Sequence, residues 1–229
     1  MGLSRAVKAG LVQNVREENK VYYEIKEAGL SRIEEWKDIK HNFWKKISLK
    51  KSGWNNYWCL VNAQIPASME KRKILINLLK KLGFGQLSRD CFIHPFDLSR
   101  ELESRIEDLN LEQYVNVFLA KICPYQNNTK LLNKLWDIEG LKKKYQEFSV
   151  KHSAALNAWD TAEDEKLITF CHSFIHDFTE IMKVDPVLPS EFLGANWEGE
   201  SVLRLLDHFN RVIVPRAREV VGRIIIRPD

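Results

Sequence analysis

Cysteine is scarce in this sequence, and long apolar runs are absent from it. The four cysteines, Cys59, Cys91, Cys123 and Cys171, are widely spaced and never form a C-x-x-C pair. A disulfide framework and a structural zinc site are therefore not expected, and a reducing cytoplasm fits this cysteine usage. No stretch approaches the roughly 18 apolar residues that span a bilayer, and the first residues lack the apolar core of a signal peptide. We expect a cytoplasmic protein without a membrane partner.

Motifs that mark common enzyme classes are also missing. There is no glycine-rich phosphate loop, no G-x-S-x-G nucleophile elbow and no evident Cys–His pair. The stretch CHSFIHD places His172 and His176 four residues apart, a spacing that can hold Zn²⁺ or Ni²⁺ on a helix. No third ligand accompanies them, so surface or packing histidines are the favoured interpretation. We expect neither an enzyme nor a metal site, and no cofactor is implied.

Positive charge is concentrated near the N-terminus. Residues 1–52 contain 12 Lys and Arg against 7 Asp and Glu, a net of +5, whereas the other 177 residues contain 23 against 24, a net of −1. Such an uneven distribution is typical of a protein with one end that faces nucleic acid. A basic surface that is merely solvated remains an alternative on charge alone.

The N-terminal pattern predicts a short helix, a hairpin and a long helix. Leu3–Ala9 is a short basic helix that ends at Gly10, and Val21–Ile25 is β-branched and aromatic, as in a strand. This order is typical of the end of a winged-helix DNA-binding domain. Apolar residues then recur at spacings of three and four between Leu30 and Ile47, which predicts an amphipathic helix.

Aromatic residues alternate with lysines between residues 40 and 58. Basic and aromatic side chains together can stack and bind single-stranded nucleic acid. We favour the other interpretation, in which the aromatics dock a connecting helix onto the next domain. Ser52-Gly53 breaks the helical pattern and marks the boundary.

Residues 53–125 have the β-α-β-β-α-β order of a ferredoxin-like sandwich. Gly83 ends the first helix as a C-terminal cap, and Asp97 is placed to cap the second. The last strand is apolar on both faces and is expected to be central in the sheet. The predicted elements are a strand at 57–65, a helix with its apolar stripe at 74–82, strands at 85–87 and 91–94, a helix at 98–109 and a strand at 114–122.

From Leu131 onward the pattern is helical. Thr161 is placed to cap the second of three helices, residues 185–197 form an irregular connector, and Pro215 should kink or end the third helix. We therefore predict an α+β protein of three parts. These are a partial winged helix-turn-helix with its connecting helix at 1–52, the ferredoxin-like middle domain at 53–125 and an all-helical C-terminal domain at 126–229.

Three stretches, taken together, resemble one known family. Residues 3–12 with 20–29, LSRAVKAGLV and KVYYEIKEAG, resemble a recognition helix and wing. The middle domain of the family is resembled by residues 54–95, from WNNYWCLVNAQIP to LGFGQLSRDCFIHP. Its C-terminal signature is resembled by residues 185–209, DPVLPSEFLGANWEGESVLRLLDHF. All three belong to the PaaX-type regulators, which repress phenylacetic acid degradation operons. The resemblance covers residues 2–217.

The resemblance implies a dimeric repressor that binds double-stranded operator DNA and releases it when an aryl-CoA or acyl-CoA thioester binds. It also implies a middle domain similar to the small CRISPR-associated adaptation subunit, in which an acidic residue at the end of the first strand has been linked to metal-dependent nuclease activity. Gln64 stands at that position here. A carboxamide binds Mg²⁺ far more weakly than a carboxylate, so a nuclease is the less favoured alternative.

The resemblance places five DNA contacts on the first helix and the hairpin. Ser4, Arg5 and Lys8 lie on one side of the recognition helix, where Arg5 has the fork that binds guanine. Arg16 and Lys20 lie in the hairpin and are expected to contact the flanking backbone. A helix-turn-helix also needs a first helix, and the sequence starts at the second, so a shortened chain is expected. A dimerising or ligand-sensing protein that has lost DNA binding is therefore an alternative.

The effector site is not identified by the resemblance. A CoA thioester needs an apolar slot and cationic groups for its phosphates. Weak candidates are His94, at a strand end, and Arg204 and Arg211, with Arg216 and Arg218 nearby in the last helical region. For His94 we favour the other interpretation, a buried histidine whose ring nitrogens are satisfied by the protein.

Overall fold

The chain has an α+β fold in which a long helix connects an N-terminal hairpin to a four-stranded sheet and a helical region. The computed structural model describes residues 3–17, 20–121, 128–156, 163–194 and 196–224. Its elements, in chain order, are α1 (Leu3–Lys8), β1 (Val12–Glu17), β2 (Lys20–Ile25), α2 (Glu27–Lys51), β3 (Trp58–Ala63), α3 (Glu70–Leu82), β4 (Gly85–Gln86), β5 (Cys91–His94), α4 (Ser99–Asp108), β6 (Val115–Ala120), α5 (Asn128–Leu135), α6 (Ile138–Leu156), α7 (Asp164–Met182), α8 (Glu198–His208) and α9 (Val214–Ile224).

The short helix α1 is closed by a glycine and leads directly into the hairpin. The amide of Leu11 donates to Ala6 O at 3.0 Å, and the amide of Gly10 donates to Val7 O at 2.9 Å. Gly10 has a φ of +69°, which glycine adopts without a steric penalty. β1 and β2 then pair as an antiparallel hairpin. The predicted order of helix, turn and strand is therefore present.

The middle of the chain has the predicted ferredoxin-like topology. The strand order is β4-β5-β3-β6, and every neighbouring pair is antiparallel. Val61 of β3, Leu75 and Leu79 of α3 and Leu102 of α4 are completely buried in one core beneath this sheet. Because strand residues alternate between faces, Cys59, Val61 and Ala63 all point into this core.

The last strand of the sheet lies at its edge, so its predicted central position was wrong. β6 pairs with β3 alone, and its Phe118 and Leu119 remain 51% and 50% exposed. An apolar strand usually indicates burial on both faces. In this topology, however, β5 already occupies the other side of β3, so β6 can only add at the free side. Ile74, predicted in the buried stripe of α3, is also half exposed.

Aromatic side chains hold α2 against the helical region. Phe43 is buried, and its ring lies 5.6 Å from that of Phe178 in an edge-to-face arrangement. The indole nitrogen of Trp36 donates to Thr179 Oγ1 at 3.2 Å. Farther along, Trp58 is buried and stacks on Phe192. Phe43 therefore docks the connecting helix, but onto α7 of the helical region rather than onto the next domain as predicted. The alternative of a nucleic-acid stacking platform is excluded for the buried rings of Phe43 and Trp58.

The C-terminal region is helical, as predicted, but the described residues contain one helix, α5, before the three predicted ones. Its core centres on Phe174 and Phe209, whose rings stack 4.0 Å apart. α8 and α9 are joined by a π-helical turn at Phe209–Ile213, immediately before Pro215. Proline removes one helical hydrogen bond and distorts the preceding turn, so the helix is interrupted there but does not end. The predicted cap Thr161 lies outside the described residues. None of the described helices is long and apolar enough to cross a membrane.

Candidate functional site

The predicted DNA contacts lie on the short helix and the hairpin. Ser4, Arg5 and Lys8 are exposed on α1, and Arg16 is exposed on β1. Lys20 is the first residue of β2. The exposed polar and cationic side chains of α1 are therefore available to a partner.

Part of the basic N-terminal charge faces the protein rather than solvent. Residues 1–26 contain 5 Lys and Arg against 3 Asp and Glu, a net charge of +2. The other +3 of residues 1–52 lies in residues 27–52, which are α2 and Ser52. On α2, Lys45 forms an ion pair with Glu101 of α4, Lys46 is buried and Lys50 is half-buried. The charge asymmetry in the sequence therefore reflects in part the packing of α2 against the rest of the chain.

A buried polar cluster lies where α2, α6 and the segment that follows α7 meet. The ammonium group of Lys46 donates to the main-chain oxygen of Asp185 at 2.8 Å. The hydroxyl of Tyr145 donates to Asp185 Oδ2 at 2.5 Å, and the amide of Val187 donates to Oδ1 at 2.6 Å. His94 completes this group. We call Lys46, His94, Tyr145 and Asp185 the Asp185 cluster.

Burial changes the protonation of this cluster. It lowers the pKa of Lys46 to about 8, against the opposing effect of the Asp185 charge, so the amine is still largely protonated at neutral pH. Burial, followed by the charge of Lys46, lowers the pKa of His94 to about 3. Burial and the Asp185 carboxylate raise the pKa of Tyr145. At neutral pH the cluster therefore holds a cation, a carboxylate, a neutral imidazole and a neutral phenol.

His94 holds the C-terminal end of α3 close to the segment after α7. The amide of Phe96 donates to its Nδ1 at 3.1 Å, which leaves Nε2 to donate to Pro186 O at 3.3 Å. Gly83, at the end of α3, has a φ of +93° and lies against Pro186 and His94. A Cβ at this position would stand 3.0 Å from Pro186 Cα and 3.1 Å from Lys46 Nζ. A side chain at position 83 would displace the cluster. His94 is fully buried and lines none of the described cavities, so its position does not favour an effector contact.

A cavity of about 370 Å³ lies beside the Asp185 cluster. It is bounded by the end of α2, by Tyr145, by residues 185–193 and by the start of α8. A smaller cavity of about 210 Å³ shares Asp185, Leu188, Leu193 and Trp197 with it. The larger volume is within the range of small-molecule sites in proteins.

The cations that line these cavities are lysines. Lys50 and Lys51 line the larger cavity, and Lys144 lines the smaller one. Arg204 instead donates to Ser201 Oγ at 2.9 Å, and Arg211 forms an exposed ion pair with Asp207 at 2.7 Å. Lys50 and Lys51 were not among the predicted site residues, because they close the helix that we assigned to the DNA-facing end. Their position directly before Ser52-Gly53 was the available signal.

The position that carries an acidic residue in the CRISPR-associated subunit is occupied by exposed Gln64. Next to it, the guanidinium of Arg72 donates to Ile65 O and to Asp90 Oδ1, both at 2.7 Å. A cation therefore lies at the end of β3, where a metal site would need negative charge. Across the described ranges, no group of three or more His, Cys, Asp and Glu side chains is arranged to hold a metal ion, and the His172–His176 pair has no third ligand among them.

Two family models match consecutive parts of the chain. The PaaX protein central Cas2-like domain matches residues 51–132, and the PaaX-like protein C-terminal domain matches residues 136–223. The chain belongs to the PaaX family. The PaaX matches include His94, Tyr145 and Asp185 of the Asp185 cluster, whereas α1 and the hairpin lie outside the matched residues.

A solved structure has a similar fold. The uncharacterized protein Rv0674 from Mycobacterium tuberculosis superimposes with a TM-score of 0.56, covering 95% of this chain and 81% of that one, at 19% sequence identity. At this identity the likeness concerns the fold alone. The curated proteins contain no match to the chain.

We predict that His94 makes the protein less stable in acid. The unfolded imidazole takes up a proton near pH 6.5, but the folded one does so only near pH 3, so folding stability is fully present above pH 6.5 and is lost as the pH falls toward 3. The free energy of unfolding, measured with urea between pH 6.5 and 4, should fall as the pH is lowered. In His94→Gln this fall should be shallower than in the wild type by about 1.4 kcal/mol per pH unit. Replacing the exposed His41 with Gln should leave the slope unchanged; equal slopes in both variants would contradict this assignment.

Proposed function

We propose that this PaaX-family chain is a DNA-binding transcriptional repressor of a catabolic operon and that it acts in the cytoplasm as a homodimer. The observation that carries the proposal is the helix-and-hairpin unit at the start of α2. It presents Ser4, Arg5, Lys8 and Arg16 to solvent on a chain that matches two PaaX domains at residues 51–132 and 136–223. This role requires no catalytic residue.

Each exposed side chain has a distinct part in the proposed complex. In the major groove, the planar fork of Arg5 is suited to guanine O6 and N7, the commonest specific contact to a base. Ser4 and Lys8 lie within the same short helix and are placed for phosphates or base edges. Arg16, with Lys20 at the start of the next strand, would contact the flanking backbone.

We predict that Arg5→Ala weakens binding to the DNA that flanks this protein's own gene. Loss of a bidentate guanine contact should cost about 1–3 kcal/mol in an electrophoretic shift assay. Lys8→Ala should instead weaken binding to all sequences and reduce the slope of log affinity against log salt by about one, because one fewer counterion is released.

Arg105→Ala is the matched control for this assay. Arg105 is an exposed arginine on α4, so its loss changes the net charge equally without altering α1. The repressor proposal fails if the wild-type chain does not bind this DNA at low salt. It also fails in its residue assignment if Arg5→Ala and Arg105→Ala bind equally.

The proposed dimer is supported by the free edge of the sheet. β6 pairs with β3 on one side only, and no other strand in the described ranges lies along its outer edge. Phe118 and Leu119 place two half-exposed apolar side chains on this edge. A long apolar edge strand is a template for pairing with another chain. Two copies of β6 in antiparallel contact would bury these groups symmetrically.

We predict that Phe118→Glu converts the dimer to a monomer in sedimentation velocity. A carboxylate at a buried, self-complementary strand contact would face its own copy or lose its water, and either effect opposes association. Val150→Glu is the control, because Val150 is 80% exposed on α6. A monomeric wild type, or a dimer that persists in Phe118→Glu, would overturn the assignment of this interface.

An aryl-CoA or acyl-CoA thioester is the effector class that we propose for release from DNA. The alternative function is a dimerising, ligand-sensing protein without DNA binding. The cavity beside Trp197 is a candidate ligand site for both functions, because both require a site for a small molecule. The shift assay separates the two functions, since only the repressor binds DNA.

A further inference from the structure

Val187 has a strained backbone in the interior of the protein. Its φ is +57°, in the left-handed region, where a β-branched residue is a steric outlier. The side chain itself is only 3% exposed and belongs to the core of the helical region. A strained conformation persists only where the surrounding structure fixes it, and such residues are concentrated at ligand clamps and switches. The contacts around Val187 therefore determine how the strain is held.

The neighbouring residues in the sequence help to place the strain at Val187. It lies in the stretch Asp-Pro-Val-Leu-Pro. The ring of Pro186 fixes its own φ near −65°, and the helical region is disfavoured for Leu188 because Pro189 follows it. The amide of Val187 donates to Asp185 Oδ1 at 2.6 Å, which closes a turn through the aspartate side chain. The carboxylate of Asp185 thus holds the strained conformation directly.

Three side chains from other elements hold the two residues that precede Val187. The donors are Lys46 of α2 to Asp185 O, Tyr145 of α6 to Asp185 Oδ2 and His94 of β5 to Pro186 O. A change of Val187 to an extended backbone would move these acceptors away from their donors. Strain and hydrogen bonds therefore act in opposite directions, since the first favours release of the stretch and the second favours its present position.

We propose that residues 185–189 form a strained latch for α2, with a closed state, which is this structure, and an open state that the chain reaches by local unfolding. In the open state Val187 has an extended backbone, and Asp185 has left Tyr145 and Lys46. Lys46 then has no buried partner and must move to water, which loosens the C-terminal half of α2. The strain at Val187 reduces the free energy of this opening below that of global unfolding. The proposed function enters only through the consequence, because α2 follows the hairpin with the proposed DNA contacts.

Amide hydrogen exchange of the unmodified full chain at several low urea concentrations tests for the open state. Residues 43–47 and 185–188 should exchange with one common free energy of opening. That free energy should depend on urea less steeply than for the β3–β6 pair, because a local opening exposes less surface than global unfolding does. The latch is overturned if both segments exchange only with the steep urea dependence of the β3–β6 pair.

Two variants separate backbone strain from side-chain packing. Val187→Ala and Val187→Gly both remove the buried isopropyl group, but only glycine adopts a positive φ without a steric penalty. Exchange of residues 43–47 and 185–188 should therefore be about threefold slower in Val187→Gly than in Val187→Ala, after allowance for the greater backbone entropy of glycine. Equal or faster exchange in Val187→Gly would contradict the strain, and slower exchange in residues 185–188 alone would contradict the link to α2.

Asn110→Ala and Asn110→Gly are the matched control pair. Asn110 is exposed, follows α4 directly and has a φ of +50°, so the same exchange of alanine for glycine relieves a positive φ outside the latch. The two variants should exchange alike in residues 43–47 and 185–188, because the latch opens while α4 stays folded. An effect there as large as that of the Val187 pair would mean that both segments open only by global unfolding, which overturns the latch.

These measurements contain no DNA, so they are independent of the repressor proposal. Their failure overturns the latch and leaves the repressor proposal standing. A chain that shows the expected exchange but does not shift DNA supports the latch and contradicts the repressor proposal.

Discussion

The buried Asp185 cluster is the constraint on which the arrangement of this protein depends. Lys46 brings a positive charge from α2 into an interior where it meets the main chain of Asp185 at 2.8 Å. An isolated buried charge is strongly unfavourable, so the segment after α7 must remain in place to compensate it. Tyr145 and His94 then hold that segment from α6 and from the sheet. One short stretch of chain thereby joins the long helix, the sandwich and the helical region.

This arrangement places the proposed functions on one helix. α2 begins directly after the hairpin that carries the proposed DNA contacts, and it ends at the cavity lined by Lys50. Lys46 and Lys50 are four residues apart, on the same face of the helix. A ligand beside Lys50 would therefore lie next to the contact that fixes the C-terminal half of α2. An effect on DNA further requires the hairpin to respond to a change in α2, which is a coupling between two sites that binding measurements can quantify.

Periodicity and turn residues predicted most of the fold, and tertiary contacts explain the exceptions. Gly83 and the alternation in β3 were sufficient to identify a helix end and a strand, because both are local properties. The edge position of β6 was not predictable from its apolar composition, since strand order depends on which side of β3 is already occupied. For the candidate site, His94 was a weak effector candidate, and the favoured interpretation, a buried and hydrogen-bonded histidine, agrees with the structure. Lys46 and Lys50 appear in the sequence as ordinary helix lysines, and only the packed structure distinguishes a buried cation from a solvated one.

The most direct test of this account is amide hydrogen exchange on Tyr145→Phe. Removing the hydroxyl leaves Asp185 Oδ2 without its donor, which should cost about 1–3 kcal/mol and loosen the cluster locally. We expect faster exchange in residues 43–47 and 185–188 together, with the β3–β6 pair and the hairpin unchanged, and no such change in Tyr57→Phe, where the ring is exposed. Unchanged protection in both segments, or an equal increase throughout the chain, would contradict the view that the Asp185 cluster holds α2 in place.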